Sequence, residues 1–168
     1  TITDSVQSWG NIADSAIETQ INAYEIQIAD NIPDEHIVNF SINIADGNSN
    51  AWDSYFNIKV NAPSLHIDGC LVDDNAGGNG DGLIDPGETV DLIITTQNKG
   101  HCDAGNTIGT LNTVNPFVTI NNSTYNLNTI NPNGSENAIF NITIDSAITI
   151  GSAIDLLYDV SSGQYYDQ

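Results

Sequence analysis

The chain has 168 residues and a formal net charge of −20, with 22 acidic side chains against two basic ones, Lys59 and Lys99. Nothing in that balance neutralises phosphates, which argues against nucleic acid and anionic membrane surfaces as partners. No run of about 18 apolar residues spans a bilayer, and the length allows one domain or two small ones with a real core.

The first stretch, Asn11–Gln20, is the only helical candidate, on a weak pattern. From Tyr24 onward the period is two. Tyr24–Ile28, Val38–Ile44 and Phe56–Val60 alternate apolar and polar residues, as do Leu92–Thr96, Phe140–Ile144 and Ile154–Val160. That alternation puts one face on a core and one in water. Turn dipeptides separate the runs: Asp46-Gly47, Lys99-Gly100, Asn133-Gly134 and Ser162-Gly163. Asp34-Glu35, after Pro33, reads as a solvated acidic turn, and Asn61–Ser64 as a boundary because Pro63 breaks a strand. Short strands at this spacing predict an all-β sandwich.

The densest chemistry is in residues 73–88, DDNAGGNGDGLIDPGE. Carboxylates this crowded repel one another unless a cation sits among them. With Gly82 at the sixth position of a calcium loop, Asn79 takes position 3, Asp81 position 5, Asp85 position 9 and Glu88 position 12. Leu83 offers a carbonyl at position 7, and Ile84 is the apolar eighth residue. Position 1 is Gly77, so Asp73 or Asp74 must reach in from upstream. An all-oxygen set selects Ca²⁺ over softer metals. On this reading metal binding is coupled to folding, with carboxylates that repel until the ion arrives. The alternative is a solvated turn built by glycine, asparagine and Pro86-Gly87.

Cys70 and Cys102 are an even pair, which in a secreted chain predicts one disulfide worth roughly 3 kcal/mol in the chain-entropy picture. Two free buried thiols are the competing reading. His101-Cys102 lacks an orienting third group for nucleophilic chemistry, and His36 and His66 lack ligand spacing. Trp9, Trp52, Tyr55, Tyr125, Tyr165 and Tyr166 serve either as core and strand-end packing or as a sugar-stacking platform.

The chain also repeats itself. Tyr24, Ile26 and Ile28 match Phe140, Ile142 and Ile144 at a constant offset (140 − 24 = 116). Val38, Phe40, Ile42 and Ile44 match Ile154, Leu156, Tyr158 and Val160, and Gly47 matches Gly163 at the same offset. This predicts a tandem array. Residues 1–62 form the C-terminal half of one repeat, and residues 63–168 a second repeat lacking its last strand. Thr1 reads as a cut end within a longer protein. An incomplete sandwich exposes an edge, so the N-terminal half is expected to pair with the second copy, or a neighbouring chain to supply the strand.

The signature GNGDG-x-x-DPGE (78–88), then Thr89–Ile93 and Asn98–Gly100, resembles the opening of an Ig-like module. Such modules occur in large secreted proteins of Bacteroidetes-type bacteria, often beside gingipain-like cysteine peptidase domains. The resemblance covers most of the chain. It implies an Ig-like fold, an extracellular or cell-surface location and a role beside a catalytic or adhesive domain; the peptidase's own catalytic residues are absent. The expected function is a non-catalytic, calcium-stabilised Ig-like spacer or anchor contacting neighbouring domains of a longer chain. The alternatives are an adhesin module binding glycans or proteins, and a surface-filament subunit that exchanges strands with like modules.

Overall fold

A computed structural model describes residues 1–167. The chain divides into two compact units, Thr1–Ile32 and the chain from Pro33 onward. No helix is present among the described residues.

In the first unit β1 (Ile2–Asp4) pairs antiparallel with β2 (Glu25–Ile26). Asn11–Gln20 is not helical; it carries a turn in which Ser15 has φ of 60°. Ile12, Ile17 and Ile21 are all exposed, so no apolar face is buried that would stabilise a helix.

The second unit begins with a hairpin of β3 (His36–Ala45) and β4 (Ala51–Val60). Eight strands follow: β5 (Leu65–Asp73), β6 (Thr89–Asn98), β7 (Ala104–Asn112), β8 (Val118–Ile120), β9 (Thr124–Ile130), β10 (Ser135–Ile144), β11 (Leu157–Ser162) and β12 (Tyr165–Asp167). They form two four-stranded sheets, ordered β5-β6-β10-β8 and β12-β11-β7-β9, with every pairing antiparallel. The architecture is an all-β sandwich.

Its core follows from the period of two. On β6 the even positions Val90, Leu92, Ile94, Thr96 and Asn98 are buried, and on β10 Ala138, Phe140, Ile142 and Ile144. Tyr158 and Val160 enter from β11. Phe140 sits at the centre, with the Tyr125 and Tyr158 rings edge-on at 6.4 and 5.7 Å. The Tyr158 hydroxyl is satisfied by Thr96 Oγ1 at 2.9 Å. Gly109 lies under the Tyr158 ring, where a Cβ would come within 2.6 Å of the hydroxyl. At the open margin Ile67 N–H donates to Asp167 Oδ2 at 3.1 Å, tying β5 of one sheet to β12 of the other.

The 116-residue offset also appears in the strands. Shifted by it, β1 falls on β8, β2 falls within β10, β3 overlaps β11, and β4 begins where β12 runs. The pairings correspond as well: β1 with β2 as β8 with β10, and β3 with β4 as β11 with β12. Of the two pairings expected for the N-terminal half, the one with the second copy is not formed: among the described residues the β3–β4 hairpin shares no ladder with it and is a two-stranded sheet of its own.

Candidate functional site

Two features stand out in the second unit, the loop joining β5 to β6 and the turn that follows β6.

The loop is organised around Asp74, which is 2% exposed. Its Oδ2 accepts N–H groups from Gly80 at 2.8 Å and Asp81 at 3.1 Å, and its Oδ1 accepts Gly82 N–H at 3.1 Å. Its carbonyl accepts Gly78 N–H at 2.7 Å. Successive backbone N–H groups turned on one carboxylate make an anion nest. Burial alone pushes this carboxyl up; the donors from Gly80, Gly82 and Asp81 outweigh it and hold the group below the ordinary aspartate value. Asp74 therefore reaches in from upstream, as the spacing requires, but its target is the backbone.

Glu88 closes the other side. Its Oε1 accepts Asn79 N–H at 2.9 Å and its Oε2 accepts Asp85 N–H at 3.1 Å. Asn79 Nδ2 donates to Asp85 Oδ2 at 2.9 Å, while Asn79 Oδ1 accepts Asp81 N–H and Asp81 Oδ1 accepts Leu83 N–H, both at 2.9 Å. Asp73 Oδ1 accepts both the N–H (3.2 Å) and the Nδ2 (2.7 Å) of Asn75. The glycines permit the closeness. A Cβ on Gly77 would meet the Thr89 carbonyl at 2.5 Å, and one on Gly78 would meet Asp74 at 2.8 Å and Glu88 at 2.9 Å. Gly77 also accepts Thr89 N–H at 3.1 Å, and Ile144 N–H bonds the Glu88 carbonyl at 2.8 Å. Ile84 packs against the core. The loop is thus fixed to the starts and ends of two central strands.

The seven residues expected to hold calcium separate into two sets. Asp74 and Glu88 accept backbone N–H groups on both carboxylate oxygens. Asp73, Asn79, Asp81, Asp85 and the Leu83 carbonyl belong to the outer rim. Among the described residues no three His, Cys, Asp or Glu side chains gather closely enough to hold a metal ion.

The second feature clasps the linker 61–64. Asn98 is fully buried and uses its whole side chain. Its Oδ1 accepts N–H groups from Ser64 and Gly100, both at 3.0 Å, and its Nδ2 donates to the carbonyls of Cys102 (2.8 Å) and Ile130 (2.9 Å). Lys99 N–H bonds Ser64 O at 2.8 Å and His101 N–H bonds Ala62 O at 3.0 Å. Gly100 passes so close to the linker backbone that a Cβ there would clash with Ser64 N at 2.5 Å and Pro63 C at 2.7 Å. The Asn-x-Gly signature is therefore a backbone clamp.

Asp34 completes it. Its Oδ1 accepts Ala62 N–H at 2.9 Å and its Oδ2 lies 2.7 Å from His101 Nδ1. Burial pushes this carboxyl up; the Ala62 N–H and His101 together bring it below the ordinary value. The neighbouring Glu35 pairs with Lys59 Nζ at 2.6 Å, an exposed contact of small energetic weight. Asp34 is thus not a solvated turn residue, and its role escaped sequence reasoning because its partners lie far along the chain.

The predicted disulfide is not formed, and the alternative of buried thiols holds only in that they are free: Cys70 and Cys102 are both exposed. Cys102 N–H bonds Ala62 O at 3.3 Å, whereas Cys70 lies opposite Ile94 in the middle of β5. The extended chain between Ala62 and Cys70, at about 3.3 Å per residue, carries Cys70 well beyond the ~7 Å Cα limit for a bridge. His101 turns its ring to Asp34 rather than to Cys102, and His66 Nε2 lies 3.1 Å from Ser64 Oγ. Trp52 and Tyr55 occupy opposite faces of β4 and Tyr125 packs on Phe140, so these three do not form one platform.

No protein-family model matches the chain, and no curated protein matches it.

Proposed function

We propose that this chain is a non-catalytic, Ig-like spacer or anchoring module of a secreted or surface protein, built to hold its neighbours at fixed geometry. The observation that carries the reading is the clamp on residues 61–64. A linker between two β elements is ordinarily the mobile part of a chain. Here Ala62 is 1% exposed, and the segment is bonded by Asn98, Lys99, His101 and Asp34. A stiff joint is what a spacer needs. The acidic composition and the resemblance of residues 78–100 support the extracellular setting.

Loop 73–88 stiffens the same module from its other connection. Its order comes from Asp74 and Glu88 bonding to backbone N–H groups, with calcium as an added ligand of its carboxylates. Residual dipolar couplings measured on the whole chain test the reading: a spacer gives one alignment tensor for residues 36–60 and 65–167.

A further inference from the structure

The β3–β4 hairpin has one apolar face. Cross-strand partners in an antiparallel pair share a face, and the pairs Val38–Ile58, Phe40–Phe56, Ile42–Ser54 and Ile44–Trp52 put seven apolar side chains together. Phe40 and Phe56 stack at 5.0 Å. Yet Ile44 is 51%, Trp52 54%, Phe56 44% and Ile58 43% exposed. The opposite face is mainly polar, with Asn39, Ser41, Asn43, Asp53, Asn57 and Lys59, and carries Ile37 and Tyr55 as its large apolar side chains. A two-stranded ribbon with one such face is marginal in water by itself.

The second copy shows what covers that face. At the 116-residue offset Ile42 and Ile44 correspond to Tyr158 and Val160, which are 7% and 0% exposed in the sandwich core. β11 is flanked on both edges, by β12 and by β7, with Tyr158 opposite Leu111 and Val160 opposite Gly109. β3 has β4 on one edge and no strand on the other among the described residues.

We infer that β3 is an acceptor for an antiparallel strand of the β7 type, donated by the leading half of an Ig-like repeat whose second sheet then covers the Phe40–Phe56 face. The register follows from the second copy: Ile42 lies opposite the residue equivalent to Leu111, and Ile44 opposite the equivalent of Gly109. Strand addition of this kind draws affinity from backbone hydrogen bonds and selectivity from alternate side chains. The inference rests on the internal repeat and stands independently of the spacer reading.

The chain itself supplies the probe. Thr1 corresponds to Phe117, so a chain with residues 63–116 placed ahead of Thr1 provides β5, β6 and β7 equivalents in the required order. In the 168-residue chain, the β3 amides not bonded to β4 should exchange rapidly while those of β6 and β10 are protected. In the extended chain those β3 amides should slow on the order of 100-fold. Trp52, read in a Trp9→Phe background, should lose most of its acrylamide quenching. Three results overturn the inference: β3 amides already protected in the 168-residue chain at low concentration, protection that appears only with concentration-dependent dimerisation of that chain, and an extended chain in which β3 exchange and Trp52 quenching do not change, whether or not the added segment folds.

Discussion

The carboxylate of Asp34 and the ring of His101 meet at 2.7 Å although 67 positions separate them. With Asp34 also accepting Ala62 N–H, the contact fastens the foot of the β3–β4 hairpin to the turn after β6. Asp34→Ala removes both bonds. We expect amide exchange of residues 36–60 to quicken while β6 and β10 keep their protection. His101 is half exposed, so its ionic part is screened. Asp34→Asn should therefore be milder than Asp34→Ala, and 1 M salt (Debye length about 3 Å) should narrow the gap between Asn and wild type.

Gly100 faces the other side of the same linker, where any Cβ strikes backbone. Gly100→Val should cost about 2 kcal/mol or more, read as a lower urea midpoint. Gly105 has open space at its Cβ position; Gly105→Ala is the matched control and should change the midpoint little.

Asp74 gives the pH dependence. Its folded pKa lies below the unfolded value of about 3.9. Its contribution is therefore fully present above the unfolded pKa and is lost as pH falls through the folded one. Relief of the −20 self-repulsion acts in the opposite direction over part of that range, so the difference between wild type and variant is the clean readout. The melting temperature of Asp74→Ala should lie on the order of 5 °C or more below wild type at pH 7. That gap should begin to narrow below about pH 4 and shrink further as pH falls through the folded pKa.

Calcium separates the loop's two descriptions. An ion-built cage makes Asp81→Ala and Glu88→Ala destabilising only with calcium present. A loop closed by Asp74 and Glu88 on backbone N–H groups makes Glu88→Ala destabilising to the same extent in excess chelator, with Asp81→Ala much milder. Thermal unfolding of both variants in millimolar CaCl₂ and in chelator decides between the two descriptions; the geometry predicts the second.

Much of the architecture was legible in the sequence because it is written in local periodicity. The alternation around Leu92 and Phe140 marks core strands, and the 116-residue offset places strands on strands. The loop was legible as a dense, ordered site from its glycines and carboxylates. What its carboxylates bind was not, because spacing fixes where Asp74 and Glu88 lie along the chain and leaves open whether they turn to an ion or to N–H groups. The clasp was less visible still: Asn98, Gly100 and Asp34 act on residues that the fold alone brings near. Cys70 and Cys102 misled because an even count says nothing of distance along β5.

Residual dipolar couplings of the hairpin and the sandwich, recorded on the wild-type chain and on Gly100→Val, test the central claim most directly. A rigid spacer predicts that residues 36–60 and 65–167 fit one alignment tensor in the wild type and need two in the variant. Separate tensors in the wild type would contradict the account, because the clamp on residues 61–64 would then not hold the joint.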